Sequence, residues 1–192
     1  MRQTNSKAVN HDWNYADGFL KHAMSVCGQQ LMTASPMEID CEEASDIIFI
    51  RSGRGDIAFR VRRPGYFSQY PYDITFRSAR ERGVLTELDK ILDGKGEWFL
   101  YGFASADGCT MDQWVFLDLS TFRSMILRGV VKRSKLVPNG DGTWFEPYDV
   151  RILKGKDPKV IRASTFEIPE IILPAAPRET KQQFWQRMRD GK

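Results

Sequence analysis

The sequence predicts an α/β (α+β) domain in which helices flank a mixed central sheet, followed by a C-terminal extension of strand and helix. Apolar residues recur at helical spacing over 13–31. Apolar and polar residues alternate over 56–63 and over 72–77, which indicates two half-buried strands. The stretch 98–103 is almost entirely apolar, as expected of a strand that is covered on both faces.

The chain divides into three parts by composition. Residues 1–11 are polar and predict a flexible N-terminus, residues 12–128 contain the core, and residues 129–192 form an extension that packs on that core. The first helix is predicted to begin with Asp12 as its N-cap, and Gly28 is predicted to end its main run.

An acidic stretch precedes the first predicted strand. Residues 37–46 contain five carboxylates and no Lys or Arg, and they lead into the short apolar strand 46–50. The glycine-containing segment 52–55 then predicts a tight turn into the strand 56–63. Carboxylates in such a stretch are candidate ligands of a divalent cation.

The two alternating strands carry arginines on their polar side. In the first strand, Arg60 and Arg62 point away from the apolar residues. In the second strand, Asp73 and Arg77 do so. Strict alternation predicts one half-buried antiparallel sheet with an arginine-bearing face. The loop 66–72 between the strands is rich in aromatic residues, which could stack on unpaired bases or cover the core.

A short helix is predicted over 86–92. Thr86 and Asp89 fit a capping box, and a glycine follows the apolar run. Glu87 and Lys90 lie three positions apart on a face separate from the apolar residues, either as a surface pair or as part of a site.

The remaining chain predicts further elements around the core. A strand is expected over 114–119, and Ser120 is expected to cap the helix that follows. Segment 138–143 has the composition of a hairpin turn. Residues 165–173 have strand character, and a last short helix is expected around Trp185.

The composition is that of an ordinary globular protein, with a local charge imbalance. The chain has 192 residues, of which 42% are hydrophobic and 28% charged. The net charge of +3 does not by itself indicate a nucleic-acid partner. Residues 51–82, however, contain eight arginines, no lysine and three carboxylates, which predicts a positive surface. A solvated, salt-bridged sheet face is the alternative.

The cysteines and the lengths of the apolar runs indicate in which cellular compartment the protein resides. Cys27, Cys41 and Cys109 are odd in number and include no Cys-x-x-Cys pair, which argues against a disulfide scaffold and a zinc ribbon. The N-terminal residues lack an apolar signal core. No apolar run approaches the roughly 18 residues needed to cross a membrane. We therefore expect a cytoplasmic protein with reduced thiols and no membrane contact.

The order helix, strand, strand, strand, helix, strand over 13–103 resembles the αβββαβ core of the PD-(D/E)XK, or restriction-endonuclease-like, superfamily. The likeness is to its divergent phage and mobile-element members. In that superfamily an Asp and a second acid on neighbouring strands bind Mg²⁺, and a lysine positions the attacking water. The resemblance therefore implies a Mg²⁺-dependent endonuclease or resolvase-like phosphodiesterase, with Mn²⁺ as a substitute metal.

The resemblance also implies roles for particular residues. Asp46 corresponds to the first metal-binding acid. The strand that should carry Glu-x-Lys reads Ala-Phe-Arg at 58–60, so it lacks the carboxylate and has an arginine, which stays protonated, in place of the lysine. Some members carry catalytic groups on the following helix, which makes Glu87 and Lys90 the candidates here, the latter to orient water. Further candidate metal ligands are Asp56 and Asp73.

The arginines are the candidate nucleic-acid-binding residues, because a guanidinium group can hold phosphate in two parallel hydrogen bonds. They comprise Arg60, Arg62, Arg77 and Arg80. The lysine-containing region 132–159 would extend the surface. DNA is the expected partner ahead of RNA.

Each of these residues also has a structural interpretation. Asp46 could bond to backbone amides at its strand start, and the arginines could pair with Asp56 and Asp73 across strands. A catalytically inactive protein of the same fold is the second functional hypothesis. It would bind nucleic acid or a host protein as a phage accessory or regulatory module, and a homodimer is a further alternative.

Overall fold

The computed structural model of the chain describes residues 15–34, 47–49, 56–80, 85–169 and 171. The helices are α1 (Leu20–Leu31), α2 (Tyr66–Gln69), α3 (Glu87–Leu92), α4 (Leu119–Leu127) and α5 (Val150–Lys154). The strands are β1 (Met32–Ala34), β2 (Ile47–Phe49), β3 (Ile57–Arg62), β4 (Asp73–Arg80), β5 (Trp98–Ala104), β6 (Met111–Asp118), β7 (Val137–Pro138), β8 (Thr143–Asp149) and β9 (Ile161–Ser164). In this part of the chain, no helix is long and apolar enough to cross a membrane.

The described strands confirm a mixed α/β architecture. A four-stranded sheet has the order β3-β5-β6-β9, in which β3 is parallel to β5 and the other neighbours are antiparallel. A three-stranded antiparallel sheet has the order β4-β8-β7. Strands β1 and β2 form a separate antiparallel pair.

The expectation that the two arginine-bearing strands lie in one antiparallel sheet is wrong. Strand β3 aligns with β5, from Ile57 beside Trp98 to Arg62 beside Phe103. Strand β4 instead pairs with β8, which comes from much later in the chain. Alternation reports the face on which a residue lies, and it carries no information about the neighbouring strand. Among the described strands, β3 and β4 therefore lie at the edges of two different sheets.

Strand β5 lies at the centre of the core, as its apolar sequence predicts. All of its residues are buried. Phe99 and Tyr101 belong to a cluster that includes residues of β4, β6, β8, α3, α4 and α5. Trp98 and Leu100 belong to a second cluster, formed with α1 and β6. Successive side chains of a strand point to opposite faces, so β5 is covered on both sides.

The helix ends agree with prediction in one case and differ in two. The predicted capping box of α3 is present, and Gly94 follows the helix with φ 94°. Helix α1 continues past Gly28 to Leu31, so the predicted end is wrong. The N-cap of α4 is Asp118 rather than Ser120, because the Asp118 carboxylate accepts a hydrogen bond from the Thr121 amide at 2.9 Å.

The chain after residue 128 supplies strands to both larger sheets. The predicted turn at 138–143 is confirmed, since β7 and β8 form an antiparallel hairpin around it. Strand β9 is the last strand of the described residues and ends before the predicted strand 165–173 begins, so that prediction is wrong over the described residues 165–169. It pairs with β6.

Several sequence predictions fall outside the described residues. They concern the N-terminus 1–11, the Asp12 N-cap, the acidic stretch 37–46 with Asp46, the turn 52–55 and the helix around Trp185.

Candidate functional site

A cleft of about 610 Å³ is lined by residues of β3, β4, α3 and the β7–β8 hairpin, together with residues 15–17. We call it the arginine cleft. Its charged lining residues are Asp17, Arg60, Arg62, Arg63, Arg77 and Glu87. The lining therefore carries four positive and two negative charges. Alternation along β3 places Arg60 and Arg62 on one side of the strand, and the other charged residues come from neighbouring segments.

Arg62 is held in place by two buried partners. Its Nε donates to the Tyr101 hydroxyl at 2.6 Å, and its Nη2 donates to Thr75 Oγ1 at 2.7 Å. The Thr75 and Tyr101 oxygens lie 3.3 Å apart. Thr75 is 3% exposed and Tyr101 is fully buried. The guanidinium group is thus fixed before any ligand arrives, which lowers the entropic cost of binding.

Arg60 is paired with the carboxylate of α3. Its Nη2 lies 2.6 Å from Glu87 Oε2, and its Nη1 donates to the Thr75 carbonyl at 3.1 Å. Glu87 Oε2 also accepts the backbone amide of Arg77 at 3.1 Å. One carboxylate oxygen consequently connects β3, β4 and α3, and it neutralises part of the positive charge in the cleft.

Two aromatic rings lie near the Arg62 guanidinium. Its central carbon is 5.3 Å from the ring centre of Tyr66 and 5.8 Å from that of Phe145. These distances are within the range of cation–π attraction. Both rings line the arginine cleft, so its surface combines cations with aromatic groups.

The tyrosine of segment 15–17 adds a polar group to the lining. Burial raises the pKa of the Tyr15 phenol, and the positive charge of Arg63 opposes that rise. Its hydroxyl oxygen is buried without a hydrogen-bond partner among the residues that the structure describes.

The structure brings together four of the residues singled out from the sequence. They are Arg60, Arg62, Arg77 and Glu87. Arg80 and the exposed Lys90 are not among the lining residues. The described ion-pair partner of Glu87 is Arg60 rather than Lys90.

The two other described candidate ligands lie away from the arginine cleft. Asp56 precedes β3, and its carbonyl accepts the amides of Glu97 and Trp98. Asp73 stands opposite Asp149 in the β4–β8 register. Burial and the Asp149 carboxylate raise the pKa of Asp73, and Arg151 opposes them.

The described residues do not by themselves fit a Mg²⁺ site. Magnesium binds oxygen ligands in a near-octahedral arrangement, commonly with one or two carboxylates. Among the described residues, no group of three or more His, Cys, Asp or Glu side chains could hold a metal ion. In the arginine cleft, the Glu87 oxygen is already bonded to a guanidinium and an amide, and Asp17 is exposed. Asp46 lies outside the described residues.

Some residues of the site were missed by sequence reasoning. Thr75 lies on the predicted polar face of its strand between Asp73 and Arg77, so the alternation could have identified it. Tyr101 carries no such signal, because it occurs in a continuous apolar run. Its hydroxyl becomes important only because β3 is placed beside β5.

No family model, no curated protein and no solved structure matches this chain significantly. A functional assignment therefore depends on the geometry and charge of the arginine cleft.

Proposed function

We propose that this protein binds nucleic acid through the arginine cleft. The observation that carries the proposal is the convergence of four arginines on one cleft that contains two carboxylates. Guanidinium groups bind phosphate oxygens in two-pronged geometry, and phosphate contacts supply much of the affinity for nucleic acid. Arg62 supports the proposal further, since Tyr101 and Thr75 hold its guanidinium group in a defined position.

Binding of labelled oligonucleotides, followed by fluorescence anisotropy, tests this proposal. Each phosphate contact contributes about 0.7 to 0.9 to the slope of log affinity against log salt concentration. We expect the affinity to fall steeply between about 50 and 200 mM salt, and the total loss of affinity depends on the number of phosphate contacts. Arg63, an exposed lining residue, is the position to change, because no described hydrogen bond of its side chain would be lost.

Arg63→Gln should weaken binding and lower the salt slope by about one contact, that is by roughly 0.7 to 0.9. Arg128→Gln is the matched control, because Arg128 is exposed at the end of α4 and does not line the arginine cleft. Equal effects of the two variants would show that the oligonucleotide does not bind in the arginine cleft, and binding that does not respond to salt would contradict phosphate recognition.

A second candidate function is Mg²⁺-dependent phosphodiester hydrolysis. One observation favours it: Glu87, a carboxylate on the helix after the arginine-bearing strands, lies in the same cleft as the arginines. The chain order α1, β1, β2, β3, α2, β4, α3, β5 contains the helix and strand order of a restriction-endonuclease-like core, with β1 and α2 added, although β2, β3 and β4 belong to three different sheets. This function requires further ligands besides Glu87, and Asp46 is the candidate.

Cleavage of plasmid and single-stranded DNA with Mg²⁺ or Mn²⁺ separates the two functions. A nuclease should lose cleavage in both Asp46→Ala and Glu87→Gln while retaining binding. Absence of cleavage by the unaltered protein with either metal, together with salt-dependent binding, would leave the binding function alone.

A further inference from the structure

We infer that the arginine cleft takes single-stranded nucleic acid, with an unpaired base stacked on Tyr66 and the adjoining phosphate held by Arg62. This inference rests on the proposed function and specifies its ligand. It comes from the tyrosines of α2 and from their position beside the fixed guanidinium group.

Helix α2 directs one aromatic ring inward and leaves two outside. Phe67 packs edge-on against Phe103 and Phe166, with ring centres 5.1 and 5.0 Å away. Tyr66 and Tyr70 remain 40% and 51% exposed, and their ring centres are 6.2 Å apart. The inward phenylalanine anchors the short helix, so the exposed rings are held in place beside the cleft.

Tyr66 and Arg62 together match the two parts of a nucleotide. The ring of Tyr66 lies 5.3 Å from the Arg62 guanidinium and lines the same cleft. Aromatic side chains bind bases by stacking, and guanidinium groups bind the phosphates between them. Because Arg62 is bonded to Tyr101 and Thr75, the spacing between the ring and the cation is set by the fold.

The size of the cleft and the chemistry of stacking both favour a single strand. A volume of about 610 Å³ lies in the range of small-ligand sites. In a duplex, each base face is covered by its neighbours, so a base can stack on a protein ring only after it leaves the helix. An unpaired strand presents its bases without that cost.

The test compares three labelled probes of equal length, roughly 12 nucleotides, within the range of single-strand sites. The probes are a single-stranded oligodeoxynucleotide, an abasic strand with the same phosphates, and a duplex. We expect the protein to bind the single strand about tenfold more tightly than the abasic strand, since stacking of one base has an effect of that order. The duplex should bind more weakly than the single strand.

Two substitutions test whether the Tyr66 ring causes the preference for the base-containing strand over the abasic strand. Tyr66→Leu should reduce the preference for the base-containing strand over the abasic strand to about unity, and Tyr66→Phe should retain that preference. Urea unfolding of both variants verifies that the fold is intact, and Phe retains the ring in the same place.

The outcomes separate this inference from the proposed function. Salt-dependent binding of equal strength to the single and abasic strands would overturn the stacking inference and leave the arginine cleft as a phosphate site. Binding of the duplex at least as tightly as the single strand would also overturn it. Failure to bind any of the three probes at low salt would overturn the proposed function as well.

Discussion

The Glu87 carboxylate lies 2.6 Å from the Arg60 guanidinium, with both side chains about a quarter exposed. The same oxygen accepts the amide of Arg77 at 3.1 Å. Of the two acids among the described lining residues, Glu87 is therefore bonded to one guanidinium group and one backbone amide. A phosphate group would compete with the Glu87 carboxylate for Arg60. A metal ion could bind Glu87 only if the carboxylate gave up its ion pair with Arg60.

Glu87→Gln distinguishes these two roles. In a phosphate-binding cleft, removal of one negative charge should tighten binding about fivefold at low salt, because a unit charge at about 4 Å in water contributes roughly 1 kcal/mol. The free energy of unfolding should fall by about 1 kcal/mol, since the pair is partly solvated. Anisotropy and urea denaturation measure the two effects.

Asp93→Asn is the control for this variant, because it removes a carboxylate from the exposed end of α3 outside the arginine cleft. A variant Glu87→Gln that binds no more tightly than the unaltered protein but loses Mg²⁺-dependent cleavage would contradict the electrostatic role and favour a metal ligand.

Thr75 and Tyr101 should contribute to binding without touching the ligand. Thr75→Val keeps the shape and strand preference of the side chain, but it removes the hydroxyl that accepts from Arg62. We expect a loss of stability of about 1–3 kcal/mol, because a half-buried charged donor loses a partner. Binding should weaken, because the guanidinium group is no longer fixed.

Tyr101→Phe removes the other acceptor of Arg62 and serves as the companion variant. The two substitutions should be less than additive in a double-mutant cycle, since both oxygens hold the same guanidinium group. Strict additivity in urea unfolding would show that the two hydroxyls act independently. Tyr70→Phe, at an exposed ring, is the control for loss of a phenol hydroxyl.

The arginine cleft illustrates what the sequence could predict and what it could not. The polar face of β3 follows from alternation, and so Arg60 and Arg62 were identified as neighbours on one side. Glu87 was identified from its position on the short helix. The alternation could not predict that β3 would pair with β5 and β4 with β8, because pairing depends on long-range packing around Phe99 and Tyr101.

Local signals were more reliable than long-range ones in the rest of the fold. The capping box of α3 and the hairpin turn at 138–143 depend on residues a few positions apart, and both are present. Helix α1 continues through Gly28 because its end is set by packing as well as by glycine preference. The Asp118 cap was missed because Ser120, two residues later, is an equally good capping residue.

Asp118 should make stability depend on pH. Burial alone would raise the pKa of this fully buried carboxyl, but the hydrogen bonds from Arg162, Thr121 and Ser120 outweigh burial and hold its pKa well below the usual range. Because the pKa of Asp118 is lower in the folded state than in the unfolded state, the ionised carboxylate increases the free energy of unfolding at pH values above the unfolded pKa of about 4. This contribution is lost as the pH falls through the pKa of the folded state.

Asp118→Asn should therefore lower the free energy of unfolding by about 1.5–3 kcal/mol at neutral pH, through loss of the charged hydrogen bond from Arg162, because an asparagine side chain can still cap α4. The difference from the unaltered protein should narrow as the pH falls below about 4. Urea denaturation at several pH values measures it, and Asp112→Asn, an exposed position on the same strand, is the control. A difference that stays constant down to the acid transition would show that charge on Asp118 is irrelevant.

Glu146 is a buried carboxylate, 2% exposed, and its guanidinium partner Arg133 is half exposed. The Arg133 Nε donates to both Glu146 oxygens at 3.1 and 3.2 Å, and the Tyr148 hydroxyl donates to one of them at 2.7 Å. Removal of Arg133 would leave the carboxylate in the core without a counter-charge. Loss of one partner from a buried ion pair costs about 3–5 kcal/mol, and the exposure of Arg133 reduces this to roughly 2–3 kcal/mol here.

Arg133→Met should show this loss in urea unfolding, whereas Lys132→Met, at the exposed neighbouring position, should have little effect. Adding Glu146→Gln to Arg133→Met should recover part of the lost stability, because an amide can be buried with the Tyr148 hydroxyl at a lower desolvation cost than an unpaired charge. The recovery identifies the unpaired charge as the cause. If the double variant were as unstable as the sum of the single ones, the effect of Arg133 would come from the packing of its aliphatic stem.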